Sequence, residues 1–93
     1  KMVKINFEDI LYIESLSDYI KICTSKNNII TRETITNVEA KLPSQHFLRV
    51  HRSYIVSLKS IDSYTNEFVE LNQKAIPISR KYKESVLKKL ENM

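Results

Sequence analysis

The chain has 93 residues, 42% of them hydrophobic and 28% charged, with a formal net charge of +4. This suits one small soluble domain over residues 1–93, and no run of about 20 apolar residues offers a membrane span. The single cysteine excludes an internal disulfide and favours a reducing, cytosolic setting, while Lys1-Met2 reads as a cut from a longer chain.

The strand signals begin with Asp9-Ile10-Leu11-Tyr12-Ile13-Glu14-Ser15 and continue through Tyr19-Ile20-Lys21-Ile22-Cys23-Thr24. Cys23 lies in the second run with no activating neighbour, so it reads as a passive strand residue. There is no glycine, so tight turns fall to Asn and Asp, which tolerate left-handed geometry best among the other residues. Asn27-Asn28 is expected to turn the chain into a strand over 29–32. Thr36-Asn37-Val38-Glu39 fits a capping box opening a two-turn helix, in which Val38 and Leu42 share a face and Pro43 ends the run.

In Phe47-Leu48-Arg49-Val50-His51-Arg52-Ser53-Tyr54-Ile55-Val56, two β-rich flanks enclose a polar triplet. Leu48 and Val50 alternate with Phe47 and Arg49. The triplet His51-Arg52-Ser53 is either a rigid recognition knuckle or an ordinary exposed turn. Further on, Asn66 and Asn72-Gln73-Lys74 bracket a strand at Phe68-Val69-Glu70-Leu71. Pro77, with no amide to donate, places its strand on an edge. Ser79 is a good N-cap for a last helix in which Tyr82, Val86, Leu87 and Leu90 fall at helical spacing. Short strands with polar turns and two helices make the fold mainly β.

No catalytic or metal constellation assembles. His46 and His51 lack partners at ligand spacing, there is no phosphate-binding glycine loop, and no cofactor is called for. Positive charge gathers in the second half: Arg49, Arg52 and Lys59 stand between His46 and Ser60 with no acid among them, and Arg80, Lys81, Lys83, Lys88 and Lys89 outnumber Glu84 and Glu91 near the end. Arg80 and Lys81 occupy the first turn of the last helix, where the macrodipole favours acids by about 0.3–1 kcal/mol each. A nearby anion explains that placement, and helix-start amides with two cations suit a phosphate. Two solvent-exposed cations on a marginal helix are the plainer alternative.

Three of these stretches, in order and covering nearly the whole chain, resemble LytTR-type DNA-binding domains. They are the opening strands, the run at 47–56, and Ile76-Pro77-Ile78-Ser79-Arg80-Lys81-Tyr82. The resemblance implies an elongated arrangement of small antiparallel sheets whose loops enter successive major grooves of double-stranded DNA. It also implies an upstream receiver domain of a two-component response regulator and sites made of paired direct repeats. The family's first reading loop falls on Ser17, Asp18 and Tyr19, its central contact on Arg52 beside His51 and Ser53, and its third on Arg80 between Ser79 and Lys81. Asp18 would meet a polyanion, so Tyr19 ranks above it unless Asp18 accepts from a cytosine amino group or turns away. His51 either orients the loop by bonding backbone, the favoured reading, or touches a phosphate. Lys81, Lys83 and Lys59 are the candidates for phosphate attraction. The isolated domain is expected to be a monomer that loads in two copies on DNA. RNA binding, or a protein-interaction role for the Val86/Leu87/Leu90 stripe, are the alternatives.

Overall fold

The computed structural model describes residues 4–93. Eight strands and two α-helices follow in the order β1 (Ile10–Leu16), β2 (Tyr19–Thr24), β3 (Asn28–Arg32), α1 (Ile35–Lys41), β4 (Phe47–His51), β5 (Tyr54–Ser57), β6 (Ser63–Tyr64), β7 (Phe68–Leu71), β8 (Lys74–Pro77) and α2 (Arg80–Glu91). Short 3-10 turns precede β1 and follow β5. All pairings are antiparallel, in a five-stranded sheet ordered β3-β2-β1-β5-β4 and a three-stranded sheet ordered β6-β7-β8. The mainly β expectation holds, and so does the elongated shape, at 40 × 23 × 22 Å. Among the described residues, no helix is long and apolar enough to cross a membrane.

The five-stranded sheet is covered on both faces, which explains its long apolar runs. On one face Ile13, Ile20, Ile22, Phe47 and Ile55 pack with Ile35 of α1. On the other, Tyr12, Cys23, Val50 and Val56 pack against Val69, Leu71 and Ile76 of the small sheet and Val86 and Leu90 of α2. The apolar stripe of α2 is therefore spent inside the domain, and Cys23 is a buried strand residue. The alternation read at 47–50 holds, with Leu48 and Val50 on one face and Phe47 on the other, and both faces are covered.

The turns divide into those anticipated and those not. Asn72 and Gln73 carry φ of 50° and 63°, the two-residue turn with both central φ positive that matches the twist of its strands. Ser17 also takes positive φ, 69°, at the tight β1–β2 turn, so the burden does not fall on Asn and Asp alone. The β2–β3 turn is built by Thr24 rather than by Asn27-Asn28. Its hydroxyl donates to the Asn27 carbonyl and accepts from the Lys26 and Asn27 amides, leaving Asn28 in the strand. Pro77 ends β8 at the free edge of the small sheet, as its missing amide requires.

The start of α1 corrects the capping-box reading. The N-cap is Thr34, two residues earlier, whose hydroxyl accepts the Asn37 amide at 3.1 Å. The acid that closes the cap is Glu33, which accepts the Thr34 amide and the Asn37 side-chain amide and pairs with Lys41. Thr36 lies inside the helix. Val38 and Leu42 do face the core together, as the spacing indicated. Thr34→Ala should accordingly lower unfolding free energy by about 1 kcal/mol, whereas Thr36→Ala should change it by less than about 0.5 kcal/mol, as chemical denaturation will report.

Candidate nucleic-acid interface

Strand directions decide which loops can act together. Chain reversal at Ser17-Asp18 brings Leu16 opposite Tyr19. β5 pairs with β1 so that Tyr54 lies opposite Glu14, and the Ser15 amide continues the ladder by donating to the Ser53 carbonyl at 2.8 Å. The β1–β2 and β4–β5 turns therefore share one end of the sheet. At the outer edge of β4, the Ser79 amide donates to the Val50 carbonyl at 2.9 Å, which fixes the start of α2 beside the β4–β5 turn. Val50 sits in a register irregularity between Arg49 and His51, the kind of local bend found beside functional sites. One edge of the molecule thus carries all three candidate loops.

The polar triplet is a two-residue reversal, Arg52-Ser53, closed by the His51–Tyr54 pair. Arg52 projects freely, exposed and in no ion pair among the described residues. Its neighbours are fixed. The Ser53 amide donates to His51 Nδ1 at 3.0 Å, so His51 does orient the loop through backbone. The His51 ring meets Tyr54 edge-on at 5.7 Å, and the Tyr54 hydroxyl donates to Glu14, which also pairs with Lys21. Burial, and then the Glu14 carboxylate, hold the Tyr54 hydroxyl above its usual range.

Arg49, one of the three cations of this acid-free stretch, is not free. Its side chain is only 9% exposed. Nε donates to the His51 carbonyl and Nη2 to the Arg52 carbonyl, each at 2.7 Å. Nη1 binds Glu39 of α1 at 2.8 Å, and the guanidinium lies 5.6 Å from the ring centre of Tyr82 on α2. One side chain therefore joins α1, the β4–β5 turn and α2. An arginine two residues before a polar turn, with Glu39 nearby in sequence, was the only available signal.

At the third loop Ser79 is the N-cap by position, but its hydroxyl makes no capping bond and its Oγ is buried without a partner. The first turn of α2 contains no acid. Arg80 and Lys81 are exposed there, Lys81 Nζ standing 5.7 Å from the Tyr82 ring centre, and Lys83 follows on the next turn, half-buried. Asp18 and Tyr19 are exposed at the first loop. Lys59 is not part of this assembly. It lies in the turn after β5, at the opposite end of that strand, where the Leu58 amide bonds the His46 carbonyl.

An edge of exposed loops and unpaired cations, held by backbone and side-chain hydrogen bonds, has the make-up of a binding module for an anionic polymer. The chain belongs to the LytTr DNA-binding domain family, whose profile matches residues 1–91. It is 34% identical over 95 residues to the sensory transduction protein LytT of Bacillus cereus, covering 96% of this chain and 38% of that protein. With the sensory transduction protein LytR of Staphylococcus epidermidis it shares 31% identity over 84% of the chain and 33% of the relative. The haem-containing CO-sensing transcriptional regulator RcoM 2 of Paraburkholderia xenovorans is 32% identical over 78% of the chain and 26% of its own length. The chain thus spans about two-fifths of the LytT proteins it matches. In structure it superposes on a solved LytTr DNA-binding domain from Bacillus cereus with a TM-score of 0.82 over 98% of this chain and 88% of that one, at 22% identity, a likeness of fold.

The state of His51 has a measurable consequence. Burial first, then the charges of Arg52 and Arg49, hold its pKa below the usual imidazole value. Above about pH 6.5 the ring is neutral in folded and unfolded chains alike, and its bond from Ser53 is intact. As pH falls, the unfolded chain takes up the proton first, so this part of the stability is lost on acidification through the unfolded and then the folded value. Denaturation midpoints at about pH 7.5 and pH 5 should therefore drop further in the wild type than in His51→Gln.

Proposed function

We propose that this domain binds double-stranded DNA sequence-specifically, the three loops of its one edge entering the major groove. The observation that carries this reading is the pair of backbone bonds, Ser15 to Ser53 and Ser79 to Val50, that align the loops while leaving Arg52 and Arg80 exposed and unpaired. A guanidinium fits guanine O6 and N7 bidentately, so Arg52 and Arg80 are assigned to bases. Lys81 and Lys83, with the uncapped first-turn amides of α2, are assigned to phosphate. Ser53 and His51 hold the central loop in place. Tyr19, with a flat ring and no charge to repel DNA, is the contact in the first loop ahead of Asp18.

In this reading the domain is the output module of a two-component response regulator, acting on transcription in the cytoplasm. The names of LytT and LytR support a signal-transduction setting, and an upstream receiver domain is the input we favour. The isolated domain is a monomer, since the α2 stripe that could have paired two copies is buried in its own core. Two copies then occupy paired direct repeats.

Binding isotherms on cognate and scrambled duplexes test the assignments. Affinity should fall at least about tenfold between about 50 and 200 mM salt. Arg80→Ala should cost about 1–3 kcal/mol on the cognate duplex and little on the scrambled one, while Lys81→Ala should weaken both and make the salt slope shallower by about one unit. A flat salt response, or equal preference for single-stranded RNA, would overturn the reading.

A further inference from the structure

The reading edge does not end at the first loop. β2 leaves that edge at Tyr19, and β3 returns to it, ending at Arg32 directly opposite Tyr19. Arg32 is exposed, and its guanidinium stands 5.7 Å from the Tyr19 ring centre, on the face of the sheet away from α1. The neighbouring acids do not neutralise it. Glu33 is committed to the Thr34 amide, Asn37 and Lys41, and neither Glu33 nor Asp18 forms an ion pair with Arg32. An unpaired cation is thus presented on an aromatic platform, with less freedom to lose on meeting an anion.

Its position gives the anion an address. The strand order puts β3 three strands across from β5, about 14 Å at the usual inter-strand spacing. Along duplex DNA that distance is about four base pairs. α2 lies beyond β4 on the other side, so Arg32 and Arg80 bracket the edge from its two ends.

We propose that Arg32 is a phosphate clamp at the outer flank of the DNA site, set by Tyr19 and lying beyond the three loops. The proposal rests on the DNA-binding reading above and extends its footprint by one backbone contact. A phosphate contact adds affinity without sequence preference and adds about 0.9 to the salt slope. It also gives the exposed Tyr19 ring a second role, as the platform of Arg32, beside its contact in the first loop.

Quantitative binding and phosphate-ethylation interference with wild type, Arg32→Ala and Arg32→Lys decide the matter. Arg32→Ala should bind cognate and scrambled duplexes several-fold more weakly at low salt, with a slope shallower by about 0.9. One interfering phosphate at the flank of the wild-type site should vanish in that variant, and Arg32→Lys should restore most of the affinity. Unchanged slope and interference pattern in Arg32→Ala, with the wild type binding normally, would overturn the clamp and leave the three-loop reading standing. A loss confined to the cognate duplex and not recovered by lysine would also overturn it, by making Arg32 a base reader. Absence of salt-dependent duplex binding by the wild type would overturn both.

Discussion

The guanidinium of Arg49 is the constraint on which the reading edge depends. Burying it forfeits several kcal/mol of hydration, which is tolerable only because its donors are matched on several sides. The carbonyls of His51 and Arg52, the carboxylate of Glu39 and the ring of Tyr82 supply that match. Two of these partners are the backbone of the turn that presents Arg52, and the others belong to the two helices. Lysine could offer one charge but not a planar fork reaching two carbonyls and a carboxylate at once. The arginine next along the strand-turn boundary, Arg52, is left with its whole charge available to a partner. Two arginines three positions apart therefore do opposite work: one is consumed in making the edge rigid, the other is displayed by it.

Rigidity of this kind suits recognition by short loops. A recognition helix carries its contacts on one continuous surface, whereas each contact proposed here sits on a separate chain reversal that must be aligned with the others. The ladder bond between β1 and β5 aligns the first two reversals, and the bond from Ser79 to the bulged Val50 aligns the third. α2 turns Val86 and Leu90 into the core. Only its cationic first turn reaches the edge. Behind the central turn, His51, Tyr54 and Glu14 form a second line of support that keeps the loop backbone bonded.

The sequence made some of this legible and not the rest, for local reasons. Strand runs ending at Thr24 and Leu71, the Asn72-Gln73 reversal, the edge position of Pro77 and the apolar stripe of α2 all follow from composition within a few residues, and they stand. The Thr-x-x-Glu pattern is satisfied at Thr36, while the true cap draws on an acid that precedes Thr34. Asn27-Asn28 carries turn composition, but the deciding group is a threonine hydroxyl upstream. Arg49, Arg52 and Lys59 are neighbours in sequence. Pairing with Glu39 and the antiparallel course of β5 separate them in space. Such tertiary pairings, that of Arg32 with the Tyr19 ring among them, leave no periodic mark.

The central claim is that Arg49 assembles the DNA-reading edge without touching DNA, and replacing it by a residue of similar bulk and no charge tests that most directly. Arg49→Met should remain folded, with the backbone amide resonances of residues 51–53 and 79–82 displaced and those of residues 22–29 unmoved in the absence of DNA. Its affinity for the cognate duplex should fall by about tenfold or more, equivalent to about 1.4 kcal/mol. Undisturbed resonances at both loops together with wild-type affinity would contradict the account.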